Sequence, residues 1–344
     1  MSNLLIIASS TGNYSTERIA SEAKKRGHSV TVLTPEDFYL HTSSTTTGHD
    51  RIFVKSKRIF KKDVDVIIPR IGAGLDFGAS VVHHWNQNLG IPTTATADGL
   101  LTASDKWKTV QLLSRARVRV PKTTIMKRPE DFGFLVSSVG GLPTVAKLLK
   151  GSQGNGVFIL ETEIAGSTAL QTFAHSNMAV LLQQYIETSK EDERKSDLRI
   201  WVVNGKVVSA FRRFSLHEDF RSNYSISKHG EKVTLTKEEE TLAIRAAEVL
   251  GLGCAGVDIM RDINDNGKPY LIEVNGNAAI KGIETVTGDN IALEIVKYAE
   301  ELANKNPTSN QGLGQKFAQA INAATFFASR YAGPATLKAM GIKK

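Results

Sequence analysis

The sequence predicts a chain of mixed α/β and α+β class: a small parallel α/β domain first, then a larger, antiparallel-rich α+β region. Three observations carry this expectation. Before residue 95, short apolar runs alternate with a helical pattern. Near the middle, the glycine-rich stretch Lys150-Gly-Ser-Gln-Gly-Asn-Gly156 separates two apolar strands. Further on, Ala255–Met260 and Tyr270–Asn275 read as buried strands interrupted by carboxylates, with Asn264-Asp265-Asn266-Gly267 as the turn between them.

In order along the chain, Leu4–Ala8 is a strand, and Ser9-Ser-Thr-Gly12 turns into a helix through Ala20 and Ala23 to Gly27. Val30–Leu33 and Val64–Pro69 are the second and third strands, and the polar Thr42–Gly48 is a loop. The cluster Arg51, Lys55, Lys57, Arg58, Lys61 and Lys62 is interleaved with apolar residues and reads as a solvated face beside a core strand rather than a nucleic-acid patch. Ser104 or Asp105 caps a helix through Lys106, Val110 and Leu113, and Asp131–Gly140 is another helix. Leu142–Leu149 and Val157–Glu161 form a hairpin around the glycine loop. Val180–Ile186, Leu198–Val203 and Val207–Arg213 are strands, and Lys237–Leu250 is an amphipathic helix. Asn304–Gly314 is linker-like, and Phe317–Arg330 is helix-prone. The expected division is 1–96, 97–302 and 303–344.

Composition limits the function classes. A chain of 344 residues, 41% hydrophobic and 23% charged, is an ordinary globular protein. Cys254 is its only cysteine, which rules out an internal disulfide. The N-terminus lacks the basic flank and long apolar run of a signal peptide, and no run of about 18 apolar residues suggests a membrane span. Cytoplasm is the expected compartment. Net charge is +8, which favours anionic partners.

The chemistry concentrates in the second region. Asp258, Glu273 and Asn275 offer two carboxylates and an amide oxygen on adjacent strands, the hard oxygen ligands that Mg²⁺ takes beside nucleotide phosphates. Gly151, Gly154 and Gly156 leave backbone N–H groups open to an anion. Lys147 sits in an apolar strand where a phosphate would satisfy it, although an edge-strand lysine reaching solvent fits the same pattern. Lys106 opens a helix, the wrong end of the dipole for a cation unless an anion is near. Arg212, Arg213 and Arg221 bring planar guanidinium forks suited to phosphate and carboxylate. No Ser/His/Asp pattern or HExxH points to a hydrolase.

Taken in order, Ser104-Asp-Lys106, Val145-Ala-Lys147 with its glycine loop, Gln183-Gln-Tyr-Ile186, Asp197-Leu-Arg199, Phe220-Arg-Ser-Asn223, Ala255-Gly-Val-Asp258 and Ile272-Glu-Val-Asn275 resemble an ATP-grasp ligase with an N-terminal pre-ATP-grasp domain. The similarity is greatest to the RimK-like branch, which adds glutamate to the C-terminus of ribosomal protein S6. Ile67–Gly72, Gly282-Ile-Glu284 and Thr287-Gly-Asp289 extend it over roughly residues 3–302.

The resemblance implies ATP as substrate and Mg²⁺, or Mn²⁺ in its place, as metal. Lys106, Lys147, Gly154 and Gly156 would hold the phosphates, Gln184 and Tyr185 the adenine, and Asp197 the ribose. Arg221, Ser222 and Asn223 would lie at the phosphate and substrate, with Arg221 catalytic, and Asp258, Glu273 and Asn275 would bind the metal. The implied reaction activates a carboxylate as an acyl phosphate and joins it to an amine, with glutamate or a similar amino acid and an acidic peptide or protein terminus as partners, in a homo-oligomer. A glutathione-synthetase-type metabolite ligase and an ATP-binding protein without turnover are the rival readings. Gln184 stands where the family usually has glutamate, Gly276-Asn-Ala-Ala279 follows the metal strand where the family usually has a small residue, serine, proline and glycine, and Lys281 replaces an acidic residue.

Overall fold

The computed structural model describes residues 1–44, 51–128, 131–149, 156–175, 178–189, 194–215 and 229–305. Its described residues divide into two compact units: residues 1–94 with 296–305, and Ala95–Ile295.

In the first unit, β1 (Asn3–Ala8) is wholly buried and pairs in parallel with β2 (Ser29–Leu33) and β6 (Val66–Arg70), so the sheet order is β2-β1-β6. Such continuous apolar strands are what a parallel sheet covered on both faces requires. The connecting helix α1 (Tyr14–Lys25) begins where the Asn13 side chain accepts the Thr16 N–H at 2.9 Å. It buries Ile19, Ala20 and Ala23. Ser9-Ser-Thr-Gly12 is an ordinary turn, closed by Ser9 Oγ donating to the Ala73 carbonyl and accepting from Gly72 N–H. Between β2 and β6 the chain builds a second, antiparallel sheet of β3 (Phe38–His41), β4 (Arg51–Val54) and β5 (Lys57–Ile59). The basic cluster thus forms strands of its own. Its short runs, broken by Lys55-Ser56, carry too little periodicity to read as a hairpin beforehand.

The second unit holds two antiparallel sheets. One has the order β7 (Thr123–Met126), β10 (Val180–Gln184), β8 (Thr144–Leu148), β9 (Val157–Leu160). Its apolar face, with Ala146, Leu160, Val180 and Leu182, packs under Phe132 and Val136 of α5 (Phe132–Ser138) and Leu170 of α6 (Glu163–His175). Each such side chain contributes about 1.5–3 kcal/mol on burial. The other sheet has the order β13 (Gly230–Lys232), β12 (Lys206–Phe214), β11 (Ser196–Val203), β14 (Cys254–Asp262), β15 (Lys268–Asn275). Helix α7 (Lys237–Val249) covers one face of it, entered through a capping box in which Thr236 and Glu239 exchange hydrogen bonds. The expected strands and helices of this region are present. Helix α6 and strand β7, which carry no strong periodic signal, were not anticipated. The linker and final helical stretch fall after residue 305, outside the described residues.

Candidate active site

Strand parity builds the site. On β11, Asp197 and Arg199 are two residues apart and share one face. Pairing brings Arg213 of β12 opposite Asp197, and Asp258 of β14 opposite Arg199. Between β14 and β15 the register shifts: Asp258 faces Glu273, but Ile259 faces Leu271, so Ile272 is the extra residue of a bulge. That bulge puts Glu273 on the polar face with Asp258 while Leu271 stays with Ile259 on the face that α7 covers. Asn275, two residues beyond Glu273, joins the same face. Asx geometry fixes Asn275, whose Oδ1 accepts the Asn277 N–H at 2.9 Å. Gly256, opposite Asn275, has no room for a side chain, because a Cβ there would lie 2.4 Å from that of Ala278.

The polar face holds a buried ionic network. Arg199 forks onto both oxygens of Asp258, with Nη2 at 2.9 Å from Oδ2. Arg213 forks onto Asp197, with Nε at 2.7 Å, and reaches Asp258 at 3.0 Å. Burial pushes the Asp258 carboxyl up, but Arg199 and Arg213 outweigh it and hold it below the usual carboxylate range. For Asp197 burial prevails over Arg213, and its carboxyl is raised. Glu273, in contrast, is exposed and accepts no hydrogen bond from a described residue.

The four-stranded sheet turns Lys147 toward the same charges. Its ammonium donates to Gln183 Oε1 at 2.6 Å, and Gln183 donates on to Thr123 Oγ1 at 3.0 Å. Burial draws the Lys147 pKa down to about 8, opposed by Glu273 and Asp258 and aided by Lys106. Lys106 opens α4 (Lys106–Arg115), whose first turn is capped by Asp105 Oδ1 accepting from Trp107 and Lys108 N–H at 3.0 Å each. Gly156 ends the glycine loop at φ 78°, a left-handed conformation, with Leu148 close enough that a Cβ would crowd it at 3.0 Å.

One expected outcome follows from Lys147. Between the folded value near 8 and the ordinary 10.5, the unfolded chain holds more protons, so stability rises with pH across that window. The cost of the buried ammonium is full below about pH 8 and fades toward the unfolded value. Lys147→Met should therefore stabilise the protein at pH 7, by up to about 3 kcal/mol, and by much less at pH 9.5. Urea unfolding of both proteins at the two pH values reads this directly. Equal differences at both would refute it.

Other expected residues fall as follows. Gln184 bonds to the start of β7, its N–H reaching the Lys122 carbonyl at 2.8 Å and its Oε1 accepting from Lys122 N–H at 3.3 Å. Tyr185 accepts a short hydrogen bond from Lys195, which also pairs with Glu187 at 2.8 Å. Gly151, Gly154, Arg221, Ser222 and Asn223 lie outside the described residues. Two readings need correction. Glu273 is not a buried carboxylate: it shares the polar face with buried Asp258 but stands on the edge strand β15, where it is exposed. Arg213 does not offer its fork to a phosphate or a substrate carboxylate, since its side chain is 5% exposed and committed to two aspartates. As its strand neighbour, Arg212 points to the opposite face, into an open cavity of about 550 Å³ with Arg194, Phe214 and Arg261. Sequence reasoning gave Arg199 no role and took Gln183 only as part of a motif. Strand parity on Asp197-Leu-Arg199 was the available signal for the first.

Among the described residues no three His, Cys, Asp or Glu side chains converge as a metal cage. The donors on this face are Asp258, Glu273 and Asn275. Two carboxylates and one amide oxygen suit Mg²⁺, which keeps open positions for water and phosphate oxygens.

A family model described as the RimK-like ATP-grasp domain matches residues 103–299, and one described as the RimK PreATP-grasp domain matches residues 2–100. A probable alpha-L-glutamate ligase of Hydrogenovibrio crunogenus is 34% identical over 311 residues, 90% of this chain and 99% of its own. Another, of Thioalkalivibrio sulfidiphilus, is 36% identical over 301 residues, 88% and 96% of the two chains. Among solved structures, the ATP-grasp ligase PsnB complexed with a phosphomimetic variant of its minimal precursor, Mg and ADP superposes with a TM-score of 0.68 at 17% identity, covering 88% of this chain and 99% of that one.

Proposed function

Because the chain belongs to the RimK-like ATP-grasp family, a family of ADP-forming ligases, we propose that it adds glutamate to the end of a peptide or protein in an ATP- and Mg²⁺-dependent reaction. The observation that carries this reading is the shared face of Asp258, Glu273 and Asn275, close enough to Lys147 to act on its charge. Relatives named as alpha-L-glutamate ligases support glutamate as the amino acid. A structural neighbour described with a bound precursor supports a polypeptide acceptor. In this assignment residues 1–96 are the pre-ATP-grasp domain, 97–302 the ATP-grasp domain and 303–344 an appended segment.

The roles of the chain's own residues follow from their chemistry. Lys106 and Lys147 neutralise phosphate oxygens, with Gly154 and Gly156 giving backbone N–H groups access to them. Gln184 and Tyr185 flank the adenine, and Asp197 orients the ribose. Asp258, Glu273 and Asn275 hold Mg²⁺, which when bound neutralises the charge that builds on the transferring phosphoryl group. Arg221, with Ser222 and Asn223, binds the phosphoryl group and the acceptor. The terminal carboxylate of the acceptor attacks the γ-phosphorus and ADP leaves. The amine of glutamate then attacks the acyl carbon, phosphate departs, and the amine proton is lost to solvent. No protein nucleophile is needed, so preorganised cations supply the rate enhancement.

Incubation of a cell extract with the protein, ATP, Mg²⁺ and isotopically labelled glutamate tests the reading. Label on a polypeptide terminus, with ADP released in step, is the expected result. If label appears only in small molecules, a glutathione-synthetase-type ligase takes its place. Should no ADP form with any acceptor, the site binds nucleotide without turnover.

A further inference from the structure

The short sheet β3-β4-β5 of the first unit has two unlike faces. Phe38, Ile52, Val54 and Ile59 are buried, none more than 3% exposed. Alternation sends Tyr39, Phe53 and Arg58 to the other face, and the register places them in a row, Tyr39 opposite Phe53 and Phe53 opposite Arg58. Tyr39 is 63% exposed.

The turn linking β4 to β5 breaks a local rule. Lys55 and Ser56 adopt φ 48° and 65°, the left-handed pair of a two-residue hairpin that Asn-Gly fits best. Beyond β5, Phe60 is 45% exposed, with Arg58 4.9 Å and Lys62 5.5 Å from its ring centroid. Phe60 therefore anchors the two cations, and Tyr39 and Phe53 remain as the aromatic platform. Lys55, Lys57, Arg58, Lys61 and Lys62 are all exposed, and the run 51–62 contains no carboxylate. The first one after it, Asp63, is buried and accepts the Phe60 N–H at 2.8 Å.

We propose that this face binds a single-stranded polynucleotide, with bases stacked on Tyr39 and Phe53 and phosphates held by the surrounding lysines and Arg58. Flat aromatic positions interleaved with cations suit exposed bases on a charged backbone. An acidic peptide would use the cations and leave the aromatics idle. A second copy of this chain is disfavoured, because a two-fold contact would set the cations against themselves. Strand register sets Arg58 in one row with Tyr39 and Phe53, and the exposed lysines flank Arg58 in sequence. Every residue assigned above to ligation lies in the second unit, so the inference stands apart from that reading.

Fluorescence anisotropy of the full chain with labelled RNA and DNA oligonucleotides of one sequence, about twelve nucleotides long, tests it. Two arms are compared: tighter binding of the RNA would identify a contact to the 2′-hydroxyl, and equal binding a general single-strand site. Tyr39→Ala should weaken binding about tenfold with the salt dependence unchanged. The double variant Arg58→Gln/Lys62→Gln should weaken it and make the slope of log K against log salt shallower by about 1.4, two phosphate contacts at ~0.7 each. Ligase turnover should be unaffected in both. Binding by the variants equal to that of the parent chain would overturn the proposal. So would displacement of the oligonucleotide by an oligoglutamate peptide at matched charge, which would mark an acidic protein as the partner. Loss of a parent dimer in either variant would instead assign the face to self-association and equally defeat it.

Discussion

Glu273→Ala is expected to abolish ATP turnover while leaving the protein folded, with kcat lower by roughly a thousandfold or more. Removing one carboxylate from the set proposed for Mg²⁺ is expected to lose several kcal/mol of charge stabilisation in the transition state, and each 1.4 kcal/mol is about a factor of ten. The structure makes this residue a cleaner probe than its neighbour. Glu273 is exposed and accepts no hydrogen bond from a described residue, so its loss breaks no such bond and removes only a nearby counter-charge of Lys147. Asp258 is bound to Arg199 and Arg213, so its removal would take from Arg199 the carboxylate it forks onto, leave Arg213 only Asp197, and mix a stability loss with a catalytic one. Steady-state ADP release across a Mg²⁺ titration, with a thermal melt of each protein, separates the two effects. Turnover near that of the parent chain would show that the metal lies elsewhere. A melting temperature many degrees lower would show that Glu273 has a structural task.

How much of this was legible beforehand depends on the residue. The two hairpin strands were legible because Asn264-Asp265-Asn266-Gly267 can turn and the flanking runs are apolar; Asn266 and Gly267 do take left-handed conformations at φ 56° and 74°. That placed Asp258, Glu273 and Asn275 near one another. The bulge at Ile272 was not legible. It shifts parity by one residue with no turn or glycine signal at Ile272 to announce it, and without it Glu273 and Asp258 could not share a face while Leu271 faces Ile259. For the same reason the pair Arg212-Arg213 was read as one cluster. Adjacent strand residues point to opposite faces, so one guanidinium is buried among carboxylates and the other opens onto a cavity. Lys147 was singled out from its apolar surroundings, but its partner Gln183 comes from a strand paired across the sheet. Local sequence does not specify such a pairing. In the first unit, the parallel strands announced themselves by continuous apolar runs. The strands of the basic sheet are three or four residues long, too short for a period to register.

Arg213→Met is expected to cost about 3–5 kcal/mol of stability at neutral pH, the usual penalty for breaking a buried ion pair from one side. The loss arises because Asp197 and Asp258, both buried, would keep only Arg199 between them. In the parent chain the balance is two guanidinium groups against two carboxylates, and Arg213 touches both acids. The pH dependence identifies the cause. Asp258 in the parent chain has a lowered carboxyl pKa, so it contributes stability above the ordinary carboxylate range that is lost on acidification. Without Arg213 the folded-state values of the aspartates rise above their unfolded ones, so the variant is least penalised at acid pH and its deficit grows as pH increases through those raised values. The gap between variant and parent should therefore narrow from pH 7.5 to pH 4.5. A second change provides the control. Adding Asp197→Asn to Arg213→Met removes one of the stranded charges and leaves the Arg199–Asp258 pair balanced, so part of the lost stability should return. Urea unfolding of the three variants at both pH values measures this. A deficit independent of pH, or one that Asp197→Asn deepens, would mean that Arg213 acts through packing of its side chain and not through its charge. A functional consequence accompanies the structural one. Arg213 ties the residue proposed for the ribose to a residue proposed for the metal, so Arg213→Lys, which keeps the charge but cannot fork onto two acids, should raise the KM for ATP and the Mg²⁺ requirement together.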